Sequence, residues 1–286
     1  MANEDNGHAA QNSVWSSSEA AEHWQQDVER RRRDMAEATQ HMLEGAGLKP
    51  GDHVLDIAGG TGDQSMVAAR MVGPEGSILA TDISADMLNI AARVAEAEGL
   101  ATVGTRVMDA EQIDLEDNAF DAVICRLGLM LIPHIDQALR EIHRVLKPGG
   151  KLAALVWSAP LRNPLFSVPL GIVSKYSQGA SSDFPNPLSL ADRTVFTQYL
   201  TQAGFQDVIT HAIAFESHYD SLDTYLHSTV GRLIAGVLGR LSPQEQRQLW
   251  EEVRQAVSRF DGPQGFVAPA EFLLGIGTKQ TSDVAS

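Results

Sequence analysis

The chain reads as an α/β protein: a mostly parallel, seven-stranded sheet with helices on both faces and an α-helical cap. Three observations predict it. From Gly51 onward short apolar runs alternate with helical patterns, as parallel strands joined by crossover helices do. The apolar run Val54-Leu55-Asp56-Ile57 gives way to a glycine-rich turn, Ala58-Gly59-Gly60-Thr61-Gly62, and then to a helical pattern carried by Met66, Val67, Met71 and Val72. Between the last two strands lies a helical stretch, residues 217–265, too long for a hairpin loop and therefore read as a cap.

Residues 1–15 are small and polar and are expected to be disordered. The core with its N-terminal helix spans 16–158. A long helical stretch runs from Ser16 to Gly45; its run Arg30-Arg31-Arg32-Arg33 reads as a solvated face, because Glu29/Arg33, Arg30/Asp34 and Arg33/Glu37 fall at i,i+4. Trp15 and Trp24 on the same stretch either pack in the core or line a pocket. Strand one is placed at 53–58 and strand two at 77–82, closing on Thr81-Asp82. Ser84 caps the next helix, which Gly99 stops. Strand three ends near Met108, strand four is 120–125, and a helix at 136–146 carries Leu139, Ile142, Val145 and Leu146 on its apolar side. Lys147-Pro148-Gly149-Gly150 ends that helix before strand five, 151–157.

After Ser158 the rhythm changes. Residues 159–190 hold five of the twelve prolines and read as a lid or substrate wall. Within 191–216 a helix beginning near Asp192 ends at Gly204, and strand six follows at 208–215. The cap region 217–265 holds two helices, the second opening with Ser242-Pro243-Gln244-Glu245, a capping box with proline in first position. The last strand, 272–276, lies in the closing segment 266–286.

Composition narrows the function. A net charge of −15 excludes generic attraction to nucleic acid phosphates or anionic lipid. The apolar runs are far short of a membrane span, and the first residues lack a basic region followed by an apolar one, so neither a transmembrane helix nor a secretory signal is expected. A single cysteine, Cys125, allows no internal disulfide and fits a reducing compartment, so the cytoplasm is the expected location. Cys125 itself reads as a small buried hydrophobe. Metal-ligand spacing is absent, as is the G-x-S-x-G setting of a hydrolase nucleophile. The partner expected is a small-molecule substrate; oligomeric state is not legible in the sequence.

The glycine turn carries the chemistry. Glycine lets a ligand approach the backbone, and the N–H groups at the helix start point at whatever binds there. A dinucleotide loop would read G-x-G-x-x-G, with a pyrophosphate on the helix start. Gly60-Thr61-Gly62-Asp63-Gln64-Ser65 lacks the third glycine and sets a carboxylate, Asp63, where a pyrophosphate would be repelled. A nucleoside with a cationic end fits better, as S-adenosyl-L-methionine does. Asp82 closes strand two twenty residues after Gly62, where ribose hydroxyls would lie, and a carboxylate accepts both of their hydrogen bonds.

Leu55 to Asp63 (LDIAGGTGD) resembles motif I of the class I S-adenosylmethionine-dependent methyltransferases, and its Ala-Gly-Gly form is most like the ubiquinone/menaquinone C-methyltransferase group. Asp109-Ala110-Glu111 after strand three and Arg144-Val145-Leu146-Lys147-Pro148-Gly149-Gly150 before strand five agree with it. The resemblance covers roughly residues 40–160 and implies a Rossmann-like fold and methyl transfer to a small, fairly apolar acceptor: a phenol, quinone, indole or enol-type carbon. It also implies a cofactor set of Asp56, Ala58, Gly59, Gly60, Thr61, Gly62, Asp82, Ile83, Met87, Asp109, Ala110 and Arg126. In that set Asp56 holds the ammonium end, while Asp109 and Ala110 recognise adenine. At Arg126 the resembling enzymes carry a small polar residue, so this arginine is read as binding the cofactor carboxylate, binding an acidic substrate, or facing solvent. Methyl transfer needs alignment, exclusion of water and, for acidic acceptors, a proton acceptor. His134, His218 and Tyr219 are the candidate bases. The competing readings are a cofactor-binding protein that does not methylate, serving as a cyclase scaffold or sensor, and a nicotinamide-dependent oxidoreductase.

Overall fold

The computed structural model describes residues 21, 24, 25, 27–176 and 186–281. The expected disordered tail, Trp15 and part of the 159–190 insertion fall outside the described residues. Among those described, the sheet has eight strands. They are β1 (His53–Ile57), β2 (Ser77–Asp82), β3 (Val103–Val107), β4 (Phe120–Arg126), β5 (Leu146–Trp157), β6 (Gln206–Tyr219), β7 (Asp261–Gly262) and β8 (Gly265–Thr278). Their spatial order is β3-β2-β1-β4-β5-β8-β6, with the two-residue β7 pairing β8 off that path. The first five strands run parallel; β8 is antiparallel to β5 and β6. The seven expected strands are therefore present, and β7 is one more.

Apart from Asp56, the buried residues of β1, β4 and β5 are mostly apolar because both faces of these strands are covered. Val54, Leu55, Ile57, Val123, Ile124, Leu152 and Leu155 are all buried. Helices α1 (Val28–Asp34) and α2 (Ala36–Ala46) precede the sheet; α3 (Asp63–Val72), α4 (Ala85–Ala97) and α5 (Ile135–Val145) are the crossovers. Ser84 caps α4 as expected, its Oγ accepting from Met87 N at 3.3 Å. The long N-terminal helix expected from Ser16 is instead broken at Met35. The two halves bury different surfaces: α2 sets Ala38, Met42, Leu43 and Ala46 against the sheet, whereas α1 buries Arg31.

Strands β6 and β8 are longer than their apolar cores. Pairing runs from Gln206 opposite Thr278 to Tyr219 opposite Phe266, so the ladder carries polar positions that no apolar alternation marks. The hairpin's outer end bears the cap: α8 (Leu222–Tyr225), a π-helical turn (Leu226–Val230), α9 (Gly231–Leu238) and α10 (Pro243–Val257). Both halves of the expected capping box form at Ser242 and Glu245.

The described part of the proline-rich insertion packs against the cap and the sheet. Its helix α6 (Pro164–Val173) packs on α9, α10 and β8, before α7 (Arg193–Gln202) returns to the sheet. Tyr225 donates its hydroxyl to Leu165 O at 2.7 Å, and Tyr176 donates to Glu252 Oε1 at 2.7 Å. At the root, fully buried Asn163 donates to Ser158 O and to Glu271 O, both at 3.0 Å, and accepts from Glu271 N at 2.9 Å. Trp157, Phe166, Phe215 and Phe272 stack beside it, Trp157 lying 4.5 Å from Phe272 and 4.6 Å from Phe166 between ring centroids. Replacing Asn163 with alanine leaves a buried N–H and two carbonyls unsatisfied. Urea unfolding of Asn163→Ala is expected to show a loss of about 2–4 kcal/mol.

Candidate functional site

A cleft of about 1040 Å³, its open mouth included, lies over the carboxyl ends of β1, β2 and β4. Its floor is the loop between β1 and α3. Ala58 (φ 52°), Gly60 (56°) and Gly62 (82°) all adopt left-handed backbone, a conformation unusual for alanine and typical of a functional turn. The turn is held by Gly59 N donating to Thr81 O and Gly62 N donating to Gly59 O, each at 2.9 Å. A Cβ on Gly62 would sit 2.8 Å from Met66 Cε and 2.9 Å from Ala91 Cβ, so glycine is required there for space as well as for φ. On the far wall Gly128 follows β4, where a Cβ would lie 2.5 Å from that of Ala58. The loops after β1 and β4 therefore touch.

Asp82 spans the acidic half of the cleft. Its Oδ2 accepts from Gly60 N at 3.0 Å and its Oδ1 from Ser84 N at 2.9 Å. Burial raises its pKa despite these bonds. A carboxylate has about four lone-pair directions, so both oxygens retain acceptor capacity toward the cleft. Ile83 and Met87 line the cleft beside it, and Asp109, Ala110 and Glu111 form the neighbouring wall. Asp109 Oδ1 accepts from Glu111 N at 2.9 Å, which fixes the loop. Glu111 in turn accepts from His134 N at 2.9 Å and meets His134 Nδ1 at 2.8 Å, tying this wall to the loop after β4.

The opposite half is basic. Arg126 donates from Nη1 to Thr39 Oγ1 at 3.0 Å and from Nη2 to Asp63 Oδ2 at 3.2 Å. Arg31 reaches the same Asp63 oxygen at 3.4 Å and also donates to Trp24 O, its guanidinium lying 4.0 Å over the Trp24 ring. Arg32 stands 3.5 Å from Asp63 Oδ1. Desolvation pulls the Arg31 guanidinium down to about 10, against the attraction of Asp63.

Several sequence expectations change here. The arginine run is a solvated face only in part: Arg33 is exposed and Arg30 meets Asp34 at i,i+4, but Arg31 is 2 % exposed and turned into the cleft, and Arg30 packs 4.1 Å over the Tyr219 ring. Arg126 does not face solvent, its side chain being 7 % exposed. Asp63 is no open carboxylate, since guanidiniums surround it. Asp56, expected at the ammonium, is fully buried and is not part of the cleft lining; Ser65 Oγ and Gln64 Nε2 take its oxygens from behind the loop. Burial drives Asp56 up to about 7, against the opposing pull of its bonds from Ser65 and Gln64 and of the Arg126 charge.

The candidate bases separate as well. His134 adjoins the cleft through Pro133 and Glu111, both lining residues. His218 lies on β6 beside Asp34 and Glu216, and Tyr219 is buried with its hydroxyl 2.8 Å from Thr229 Oγ1; neither lines the cleft. Cys125 is buried and its thiol is pushed up to about 12 by desolvation, so it is inert. The described residues of the 159–190 insertion contribute nothing to the lining. Trp24 does line the cleft. Arg31 was passed over, although Trp24, Val28, Arg31, Met35, Ala38 and Met42 form a seven-residue repeat in which it alone is charged. Among the described residues, no three His, Cys, Asp or Glu side chains converge to hold a metal, and no helix is long and apolar enough to cross a membrane.

The model of the ubiE/COQ5 methyltransferase family matches residues 30–180, more than half of the chain. The chain belongs to this family. Ubiquinone/menaquinone biosynthesis C-methyltransferase UbiE of Pseudomonas aeruginosa is 42% identical over 124 residues, covering 43% of this chain and 48% of that protein. The chain thus spans about half the length of the curated relatives it matches. Among solved structures, the YcgJ protein from Bacillus subtilis aligns with a TM-score of 0.60 at 17% identity, over 86% of this chain and 100% of that one. The [4+2]-cyclase SpnF aligns at 0.52 and 20% identity, over 86% of this chain and 81% of that one. At such identities these structures share the fold alone. S-adenosyl-L-methionine is the cofactor of the family, and the sheet is of the Rossmann-like kind.

Two outcomes check the loop. Gly62→Ala adds a clash to an unfavourable φ and is expected to lower stability by roughly 2–4 kcal/mol, read from denaturant unfolding. Asp56 binds its proton more tightly folded than unfolded, so its contribution to stability is present at low pH and is lost as pH rises from the unfolded pKa of 3.8 toward about 7. Relative to Asp56→Asn, the wild type should therefore lose melting temperature between about pH 4 and pH 7.

Proposed function

We propose that this chain transfers a methyl group from S-adenosyl-L-methionine to a small, fairly apolar acceptor of the phenol, quinone, indole or enol-carbon type. The observation that carries the reading is the convergence of the glycine loop, Asp82 and Asp109 in one cleft of a chain belonging to this family. The residues present fit the cofactor. Asp82 keeps acceptor capacity for two ribose hydroxyls, and Met87 and Ile83 offer an apolar surface beside it for adenosine.

When bound, the cofactor supplies a methyl carbon already activated by its sulfonium. The chain's own residues then have three tasks. Asp82 and the wall at Asp109 and Ala110 hold the nucleoside; Trp24, Met35 and Leu131 enclose the cleft and exclude water; the acceptor is aligned between them. For an acceptor that must lose a proton, His134 is the proposed base. Glu111 meets its Nδ1 at 2.8 Å, which orients the ring beside the cleft. The acceptor class rests on the apolar lining at Met35, Met108, Leu127, Leu131 and Ile132.

Calorimetry should find S-adenosylhomocysteine bound at micromolar dissociation constant, weakened at least about tenfold by Asp82→Ala. A wild type that binds neither the donor nor its demethylated product overturns the proposal, and a fluorescence titration in which NADH binds instead would favour an oxidoreductase. With labelled methyl donor, a screen over phenols, quinones and indoles identifies the acceptor. His134→Gln should then lower kcat by about a hundredfold with S-adenosylhomocysteine affinity retained.

A further inference from the structure

The two ends of the sheet are protected to different degrees. An end strand offers unpaired N–H and C=O groups, and proteins blunt such edges by shortness, charge, a bulge or a covering element. At one end β3 has five residues, and its exposed Arg106 pairs with Asp114. At the other end β6 has fourteen residues and lies last in the strand order, with β8 on one side of it. Helix α1 covers the far part of β6: Asp34 accepts from His218 N at 3.0 Å and Arg33 donates to His218 O at 3.2 Å. The near part is bulged between Gln206 and Ile209, with Asp207 at φ 50°. Between these two devices, residues 209–216 keep a regular register against β8 and contain no Lys, Arg, Asp or Pro. Ile209 is 57 % exposed there, and Ala212 and Ala214 are exposed beside it.

In an antiparallel ladder, alternate residues turn their backbone groups to opposite sides. His218 turns both of its groups away from β8 and onto α1, so Glu216, Ala214, Ala212 and Thr210 turn theirs to the same open side. This row is complementary to itself. A twofold interface sets residue i against j and j against i. Centred on Ala212, it sets Ala212 against Ala212, Thr210 against Ala214, His211 against Ile213 and Ile209 against Phe215, with no like charges opposed. A centre one residue later would drive Ile209 against Ser217, where α1 stands; one residue earlier would draw the bulged Asp207 opposite Phe215. The centre at Ala212 keeps the ladder clear of both.

We infer that two copies of this chain pair antiparallel through β6, with the twofold axis at Ala212, so that their sheets continue as one. Ala212 exchanges both backbone bonds with its copy, and Thr210 exchanges both with Ala214 of the other chain. Each exposed Ile209 leaves water against Phe215 of the other chain. The bulge of one copy meets the α1-covered end of the other, and pairing stops there. Strands β5 and β8 lie between β6 and β4, so the interface leaves the cleft over β1, β2 and β4 open.

Analytical ultracentrifugation of the full chain from roughly 1 to 100 μM tests the pairing. The wild type should reach the mass of two chains at the upper end of that range. Ala212→Lys and Ala212→Asp each set like charges against one another at the axis, and each should raise the dimer dissociation constant at least about tenfold. An equimolar mixture of the two variants should recover the two-chain mass, because opposite charges then meet at the axis. Circular dichroism checks that both variants fold. Hydrogen exchange on the wild type needs no variant: the amides of Thr210, Ala212 and Ala214 should slow as protein concentration rises, and those of β3 should not. A wild type that keeps the mass of one chain throughout, or exchange at those three amides that ignores concentration, overturns the inference. So does a dimer that survives both substitutions, since it uses another face, or a mixture of folded variants that stays monomeric.

Discussion

The Asp82 carboxylate, shared between Gly60 N and Ser84 N, is the interaction on which the cleft depends. It joins the turn after β1 to the start of α4. With the backbone bonds from Gly59 N and Gly62 N, it holds Ala58 and Gly60 in an unfavourable left-handed conformation. The same buried carboxylate faces the cleft, so the group that shapes the loop also presents acceptors to a ligand. Its burial is costly and is offset by three backbone N–H donors, including that of Ile83.

The cleft that results has two ends of opposite character. Asp82, Asp109 and Glu111 provide acceptors on one side, and Arg31 and Arg126 provide donors around Asp63 on the other. Such a separation orients an elongated ligand by its own polarity before any shape fit is considered. Apolar residues between the ends, among them Leu127 and Leu131, lower the local dielectric and strengthen each polar contact. The cap stands apart from this surface. It bonds to α6 through Tyr225 and Leu165, and it reaches the residue before α1 through Arg232 and Asp27.

Most of the core was legible in the sequence because β1, β2 and β4 are short, largely apolar runs with an acid or a glycine at or just beyond their ends. β2, the Ser84 cap and the capping box at Ser242 fall where local rules put them. The outer halves of β6 and β8 escaped because a ladder between two long edge-side strands needs no alternation of apolar residues. The break at Met35 escaped because helix propensity continues through it, and only the two different surfaces beneath α1 and α2 demand it. At the site, Gly60, Gly62 and Asp82 were visible from spacing, and Asp109 from the family resemblance. Asp56 looked equally functional, yet β-strand alternation turns it inward, onto Ser65 and Gln64.

What the sequence determined by itself is local: strand, turn and helix order, the left-handed glycine turn, and the carboxylate that ends β2. These depend on backbone sterics and on neighbours a few residues away, which the sequence records directly. Only the tertiary structure decided that Arg31, Asp63 and Arg126 meet, because they come from α1, α3 and β4 and their charges pair across a cleft. It alone decided, too, that the proline-rich insertion docks on the cap. Burial is a property of the whole packed chain, and a run of arginines or prolines carries no record of which surface will cover it.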